Sequence, residues 1–347
     1  MEPIYEKWLQ NPGPERGYAV YSFAVLGRNL RDIPFAFHAD APQREEIREK
    51  IRKVISQSEL AHVLYAVPLL NMPQSARFSL AERGYIQRST AEKPEEKDLF
   101  LSEDGSVFLS VNEKDHLCFG ALQPGIAPEI AYQKAEKVEA ILGKNLSFAY
   151  DEEWGYLSPD LQQLGTGLKA GVCLHLPALC ADGDMLPICS SLERVGFSAK
   201  PVYPDGDIAL GEMYSIENGV TMGIAEKEVL ENLRGMVHQL IRREGASRQR
   251  RREDARLCDR IYRAMGTLLY ARRLSYREAM DLLSKVRLGV SEGFWENIHW
   301  PVLDQLVRRI QPATLSLPDL AFSDGADERR AVLIRQAMSR EDDDFAV

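Results

Sequence analysis

The chain has 347 residues, 45% hydrophobic and 27% charged, with a formal net charge of −9. That is ordinary globular composition, long enough for two domains with a sizeable core. The acidic balance argues against a general nucleic-acid binder, and no run of ~18 apolar residues suggests a membrane span. The opening stretch MEPIYEKWLQNPGPERG lacks the apolar core of a signal peptide, so the cytoplasm is the expected compartment. Five cysteines at spacings without a CxxC pair, and six scattered histidines, predict free thiols and no metal site.

In chain order, residues 1–17 read as a loop or short helix ending at Asn11-Pro12-Gly13-Pro14. Residues 42–57 read as a charged helix with Ile47, Ile51, Val54 and Ile55 on one face, and mixed helical signals continue to about residue 85. From about residue 98 the pattern turns to strands: Val107–Asn112 and Leu117–Leu122, joined by Glu113-Lys114-Asp115-His116. A helix over 129–143 stops at Gly143, Leu146–Tyr150 reads as a short strand, and Val172–Leu176 as helical or buried. Residues 226–243 have strong amphipathic helical spacing, and Arg242–Arg252 then holds six arginines in eleven residues. Such a run is more often a solvated helix or linker than an anion site. Helices are expected over 253–271, Tyr276–Val286 and 326–340, with residues 340–344 frayed. These patterns predict an α+β chain: a mainly helical part at 1–85, an α+β domain at 86–250 and a helical domain at 251–347.

The most specific local signal is Leu164-Gly165-Thr166-Gly167-Leu168-Lys169-Ala170. Glycines lack a Cβ, so such a loop can bring backbone amides close to phosphate, with Lys169 adding charge. Taken alone, Gly-Thr-Gly is more simply a tight turn.

It is not alone. The string from Tyr156 to Leu179 resembles the active-site region of ATP:guanidino phosphotransferases, specifically the bacterial protein arginine kinases. Other segments resemble that family in the right order: Gly27-Arg28-Asn29-Leu30 with Ile33-Pro34-Phe35, Asn112–His116, Gly211–Tyr214, Leu274–Val290 and Gln311-Pro312-Ala313. The resemblance spans nearly the whole chain. It implies a large antiparallel sheet flanked by helices (the phosphagen kinase catalytic fold), with a small N-terminal helical part and an all-helical C-terminal domain. It also implies ATP and Mg²⁺ as cofactors, arginine-containing or arginine-phosphorylated proteins as partners, a small zinc-binding adaptor, a link to a chaperone–protease, and a homodimer.

In that family a carboxylate must take a proton from the guanidinium, and arginines must clamp the migrating phosphoryl group. The family motif Ser-Ser-Arg-Ile-Arg reads Tyr21-Ser22-Phe23-Ala24-Val25 here, without either arginine. The usual base is Lys114, the arginine of His-x-Arg is Cys118, the active-site cysteine is Asp160, and the arginine after Gly-Thr-Gly-Leu is Lys169. Arg-Gly-x-Tyr-Gly-Glu becomes Lys200-Pro201-Val202-Tyr203-Pro204-Asp205. Lysine keeps charge but loses the planar fork of arginine. Losing a base costs roughly 10²–10⁴-fold and each charge donor roughly 10²–10³-fold, so the resemblance implies a catalytically degenerate member, a pseudokinase.

Carried over by position, Glu113, Asp115 and Asp160 are the candidate catalytic residues. Lys169, Ala170, Gly171, Val172, Cys173, Lys200, Tyr203 and Asp205 are the candidate nucleotide residues. Glu113 is expected to face away from the base position if its strand is regular, unless a bulge intervenes. The family's phosphoarginine-reading motif Arg-Asp-x-x-Arg-Ala appears as Ala326–Ala331, keeping Asp327 and Arg330; a solvated helix face is the competing reading. His116 and His175 are expected to be structural. Three functions remain open: a regulatory or phosphoarginine-binding protein in protein quality control, an active protein arginine kinase with a rebuilt site, and a structural adaptor-binding subunit.

Overall fold

The structure is a computed structural model that describes residues 6–317 and 325–339. The expected fraying of residues 340–344 lies outside them. The strands are β1 (Ala19–Arg28), β2 (Leu64–Val67), β3 (Asp98–Ser102), β4 (Val107–Val111), β5 (Leu117–Pro124), β6 (Tyr150–Asp151), β7 (Gly155–Tyr156), β8 (Leu168–His175), β9 (Phe197–Pro201), β10 (Pro204–Asp205), β11 (Ile208–Ala209) and β12 (Met213–Asn218). The helices of the α+β part are α1 (Ala41–Ser56), α2 (Gln74–Glu82), α3 (Arg88–Glu92), α4 (Pro128–Gly143), α5 (Pro177–Asp182), α6 (Met185–Arg194) and α7 (Glu226–Arg251). The helices that follow are α8 (Ala255–Tyr270), α9 (Tyr276–Ser291), α10 (Trp300–Arg309), α11 (Pro312–Leu315) and α12 (Ala326–Met338).

Eight strands form one sheet in the order β2-β3-β4-β5-β1-β8-β12-β9, with antiparallel pairing throughout. One face buries Ala24, Leu26, Phe119, Ala121, Leu168, Ala170, Val172 and Ile216 against apolar residues of α1, α4 and α7. Asp40 begins α1 with a reciprocal capping box through Gln43, and Ile47, Ile51 and Ile55 recur at helical spacing on its buried side. The opposite face carries two further cores. One lies over β3 and β4, with Trp8, Leu69, Leu80 and Tyr85; the other holds Cys173, Tyr203 and Met213 against α8, α9, α10 and α12. Tyr21 packs against both.

The helical reading of residues 1–85 misses β1, which is central to the sheet. Its alternating burial and its β-branched and aromatic residues are strand signals, confined to ten residues and followed by the longer helical periodicity of α1. Val172–Leu176 is buried, as expected, yet it is strand rather than helix through His175. A strand covered on both faces reads as a continuous apolar run that periodicity cannot assign. Leu146–Tyr150 makes only a bridge between Phe148 and Leu30 before the β6–β7 ribbon. The basic run is the last turns of α7, not a linker. Within it Glu244 and Arg248 are buried and paired, Glu244 accepts from the amides of Ala178 and Leu179, and Arg248 donates to the carbonyls of Gly17 and His175.

Candidate active-site cleft

The cleft lies on the sheet face opposite α1, α4 and α7, and one end of it is the turn between β4 and β5. Asn112 adopts a left-handed φ of 59°, which asparagine tolerates, and its amide donates to the His116 carbonyl. Its side-chain amide donates to the carbonyls of Arg44 and Glu96. This break in strand alternation overturns the expectation that Glu113 faces away, for Glu113, Lys114 and Asp115 all line the same cavity.

A buried hydrogen-bond frame holds the turn. The Asn29 amide donates to Asp115 Oδ1 (2.6 Å) and the Leu157 carbonyl, while its carbonyl oxygen accepts from the His116 amide. His116 accepts from the Leu30 amide at Nδ1 and lies 2.8 Å from the Pro34 carbonyl at Nε2, and burial lowers its pKa. It is structural, as expected, and so is buried His175 on Ser284. Arg28 is also part of the frame. It stacks 3.4 Å from the Tyr156 ring centre, pairs with Glu139 and donates to the carbonyls of Gly27 and Thr166.

Two carboxylates face the cavity. Glu113 Oε1 accepts from Thr90 Oγ1 (2.8 Å) and the Gln87 amide, and Asp115 Oδ1 also accepts from Ser158. Their second oxygens, Glu113 Oε2 and Asp115 Oδ2, are buried without a hydrogen-bond partner. Burial raises both pKa values, against those hydrogen bonds. Lys114, at the family's base position, is ion-paired with Asp160, at its cysteine position. Burial pushes the Asp160 pKa up, but its bonds from Lys114 and the Gln162 amide outweigh this and lower it. Asp160, a candidate catalytic residue, is therefore held in an ion pair with Lys114.

The strand registers place the five family arginine positions on one face. Phe23 pairs with Gly171, Val25 with Lys169 and Gly27 with Cys118. Lys200 pairs with Ser215, which pairs with Cys173. This wall therefore offers a phenyl ring, an isopropyl group, a thiol and two lysines. Both lysines lie against one buried carboxylate, Glu217 Oε2, Lys169 at 3.3 Å and Lys200 at 3.2 Å. Burial raises the Glu217 pKa, but the two ammonium groups outweigh it and hold the carboxyl below its usual value. The sequence reading missed Glu217. Its signal was the period of two in β12, which puts Ser215 and Glu217 on the face opposite Tyr214 and Ile216. With two cations sharing one counter-ion, this wall carries less positive charge for a triphosphate than five arginines would supply.

The same period separates the proposed nucleotide residues. Gly171 and Cys173 share the face of Lys169, whereas Ala170 and Val172 are fully buried in the other core. Tyr203 is buried among the C-terminal helices, and Asp205 lies 3.6 Å from Arg277. The glycines of the Gly-Thr-Gly loop permit close backbone contacts. A Cβ on Gly165 would meet the Thr221 carbonyl at 2.6 Å, and one on Gly167 the Gly27 carbonyl at 2.7 Å. The Thr166 amide donates to Thr221 and the Gly165 amide to Tyr156. Nor is Arg330 on a solvated face or open to a phosphate. Its guanidinium is buried, donating to the Leu274 carbonyl (2.7 Å) and to Asp327 (2.8 Å), because α12 packs its first turns onto the α8–α9 loop.

Among the described residues no helix is long and apolar enough to cross a membrane, and no group of three or more His, Cys, Asp or Glu side chains is placed to hold a metal ion.

Comparison with known proteins adds the following. Residues 46–247 match the family model for the ATP:guanido phosphotransferase C-terminal catalytic domain. Residues 254–346 match that for the protein-arginine kinase McsB C-terminal domain. A protein-arginine kinase of Brevibacillus brevis is 34% identical over 97% of this chain and 96% of its own length. One of Halothermothrix orenii is 32% identical over 89% and 88%. In fold, the chain is similar to lombricine kinase, with a TM-score of 0.58 at 20% identity over 70% of each chain. It is also similar to the duplicated taurocyamine kinase of Schistosoma mansoni, with a TM-score of 0.61 at 19% identity over 75% of this chain and 39% of that one.

Proposed function

Since the chain belongs to the protein-arginine kinase family of ATP:guanido phosphotransferases, we propose that it keeps the family's grip on protein arginine and has given up phosphoryl transfer. It acts as a binding protein for arginine side chains of other proteins. The observation that carries this reading is the wall on which the five arginine positions converge, where the remaining cations, Lys169 and Lys200, are both held by Glu217. Bound ATP would supply the family's phosphoryl group. This chain's residues instead orient a guanidinium: Glu113 and Asp115 each offer a buried, unpartnered oxygen to its N–H groups. Lys114 removes the usual proton acceptor and neutralises Asp160.

The buried Arg330 argues against a phosphoarginine reader at that helix, so the grip is assigned to the cleft. A second reading, an active kinase with Glu113 as base, is favoured by the raised pKa of Glu113, which suits proton abstraction.

The test is incubation of the full chain with ATP, Mg²⁺ and an arginine-rich protein, followed by mass spectrometry for acid-labile phosphoarginine. We expect none above background, no stabilisation by nucleotide in thermal unfolding, and binding of the arginine-rich protein that Glu113→Gln weakens. Turnover abolished by Glu113→Gln would establish the second reading, and absence of any binding would overturn the first.

A further inference from the structure

Resting on the reading that the cleft binds arginine without nucleotide, we propose that it recognises a basic residue together with a bulky apolar neighbour. The apolar side chain occupies the space where the family's arginines would hold phosphate.

The cavity has a volume of about 320 Å³, at the lower end of ligand-sized pockets. Its two ends have different chemistry. Glu113 is 9% exposed and Asp115 1%, and each presents one oxygen that has no donor. A buried carboxylate oxygen without a donor is costly, and a cation carrying N–H groups removes that cost. Beyond them the same cavity is walled by Phe23, Val25, Phe108 and Leu122, with Arg83 and Lys169 also on its lining and the Lys169 ammonium 5.9 Å from the Phe23 ring centre. Their placement follows from the registers. Gly171 lies opposite Phe23, where a Cβ would come within 2.6 Å of the ring; Gly120 lies under Phe108, where a Cβ would come within 2.0 Å. The two glycines let both rings settle onto the sheet, leaving an apolar chamber above them.

The Phe23 and Val25 part of the wall gains nothing from a phosphate, whose desolvation it does not compensate, and the lysine beside it, Lys169, is already ion-paired with Glu217. That part gains from an apolar side chain in proportion to the area taken out of water. The carboxylates select the sign of the head, and the chamber selects the size and polarity of what sits beside it. Phe23 and Val25 are therefore specificity-determining residues.

The experiment is a calorimetric titration of the full chain with blocked dipeptides: N-acetyl-Arg-Phe-amide and N-acetyl-Phe-Arg-amide against N-acetyl-Arg-Ala-amide and N-acetyl-Ala-Phe-amide. We expect the better of the two Arg/Phe peptides to bind roughly 10- to 100-fold more tightly than the Arg/Ala peptide. Phe23→Arg is expected to abolish that preference. Val25→Arg, on the same wall, gives the same readout should the first variant fold poorly. Glu113→Gln is expected to weaken every arginine peptide while leaving the preference for phenylalanine in place. Equal affinity for Arg/Phe and Arg/Ala peptides would overturn this proposal and leave arginine binding standing. Binding by none of the arginine peptides would overturn both.

Discussion

At one end of the cleft, Asn29, Asp115 and His116 knit the β4–β5 turn to the end of β1 through buried hydrogen bonds. At the other, the wall built from β1, β8 and β9 carries apolar side chains where the family has arginines, and its two lysines share one carboxylate. Residues of the first kind serve the fold as well as the ligand, so replacing them would leave buried polar groups without partners. The family's wall arginines serve a phosphate ligand, and these part-buried positions accept a phenyl ring or an isopropyl group at little cost in stability. The contrast teaches that the residues that shape a cleft and those that set its charge can vary separately.

The largest effect should come from breaking the frame. Asn29→Ala removes three hydrogen bonds at once, two of them buried, and leaves the His116 amide unpaired. We expect a loss of about 2–4 kcal/mol in urea unfolding, as for other buried polar deletions. Phe23→Ala on the wall should cost clearly less, and an equal loss at the two sites would erase the distinction between them.

A smaller effect should come from the charge lock. Glu217→Gln takes away the counter-ion of Lys169 and Lys200. Affinity for pyrophosphate should rise about 3- to 10-fold at low salt and fall back as salt is added, since both lysines are part-exposed and screened. An unchanged affinity at low salt would mean that the lysines were never the limiting cations.

The smallest effect tests the strain in the carboxylate end. Burial raises the Glu113 pKa above its ordinary 4.5, so the folded state holds a proton there that the unfolded chain releases. The stability tied to this group is fully present below 4.5 and is lost as pH rises through the raised value. Glu113→Gln should therefore flatten the fall in melting temperature on that alkaline side. The stability curves of the variant and the parent should diverge as pH rises, and curves that stay parallel would show that the carboxyl is not held against its charge.

Much of the molecule was legible in the residues. Ordered motifs from Gly27-Arg28-Asn29 to Gln311-Pro312-Ala313 indicated the α+β fold. The β4 and β5 strands, α1, α4 and the start of α7 followed from local periodicity, which is a property of neighbouring residues alone. The missing arginines at 23, 25 and 118 could be read one by one. Tertiary structure decided what pairs with what: that Lys114 reaches Asp160, that Lys169 and Lys200 converge on Glu217, and that Arg330 is buried against the Leu274 carbonyl. These pairs join residues from 17 to 56 positions apart. Strand register and helix docking bring them together, and neither is encoded in any short window of sequence.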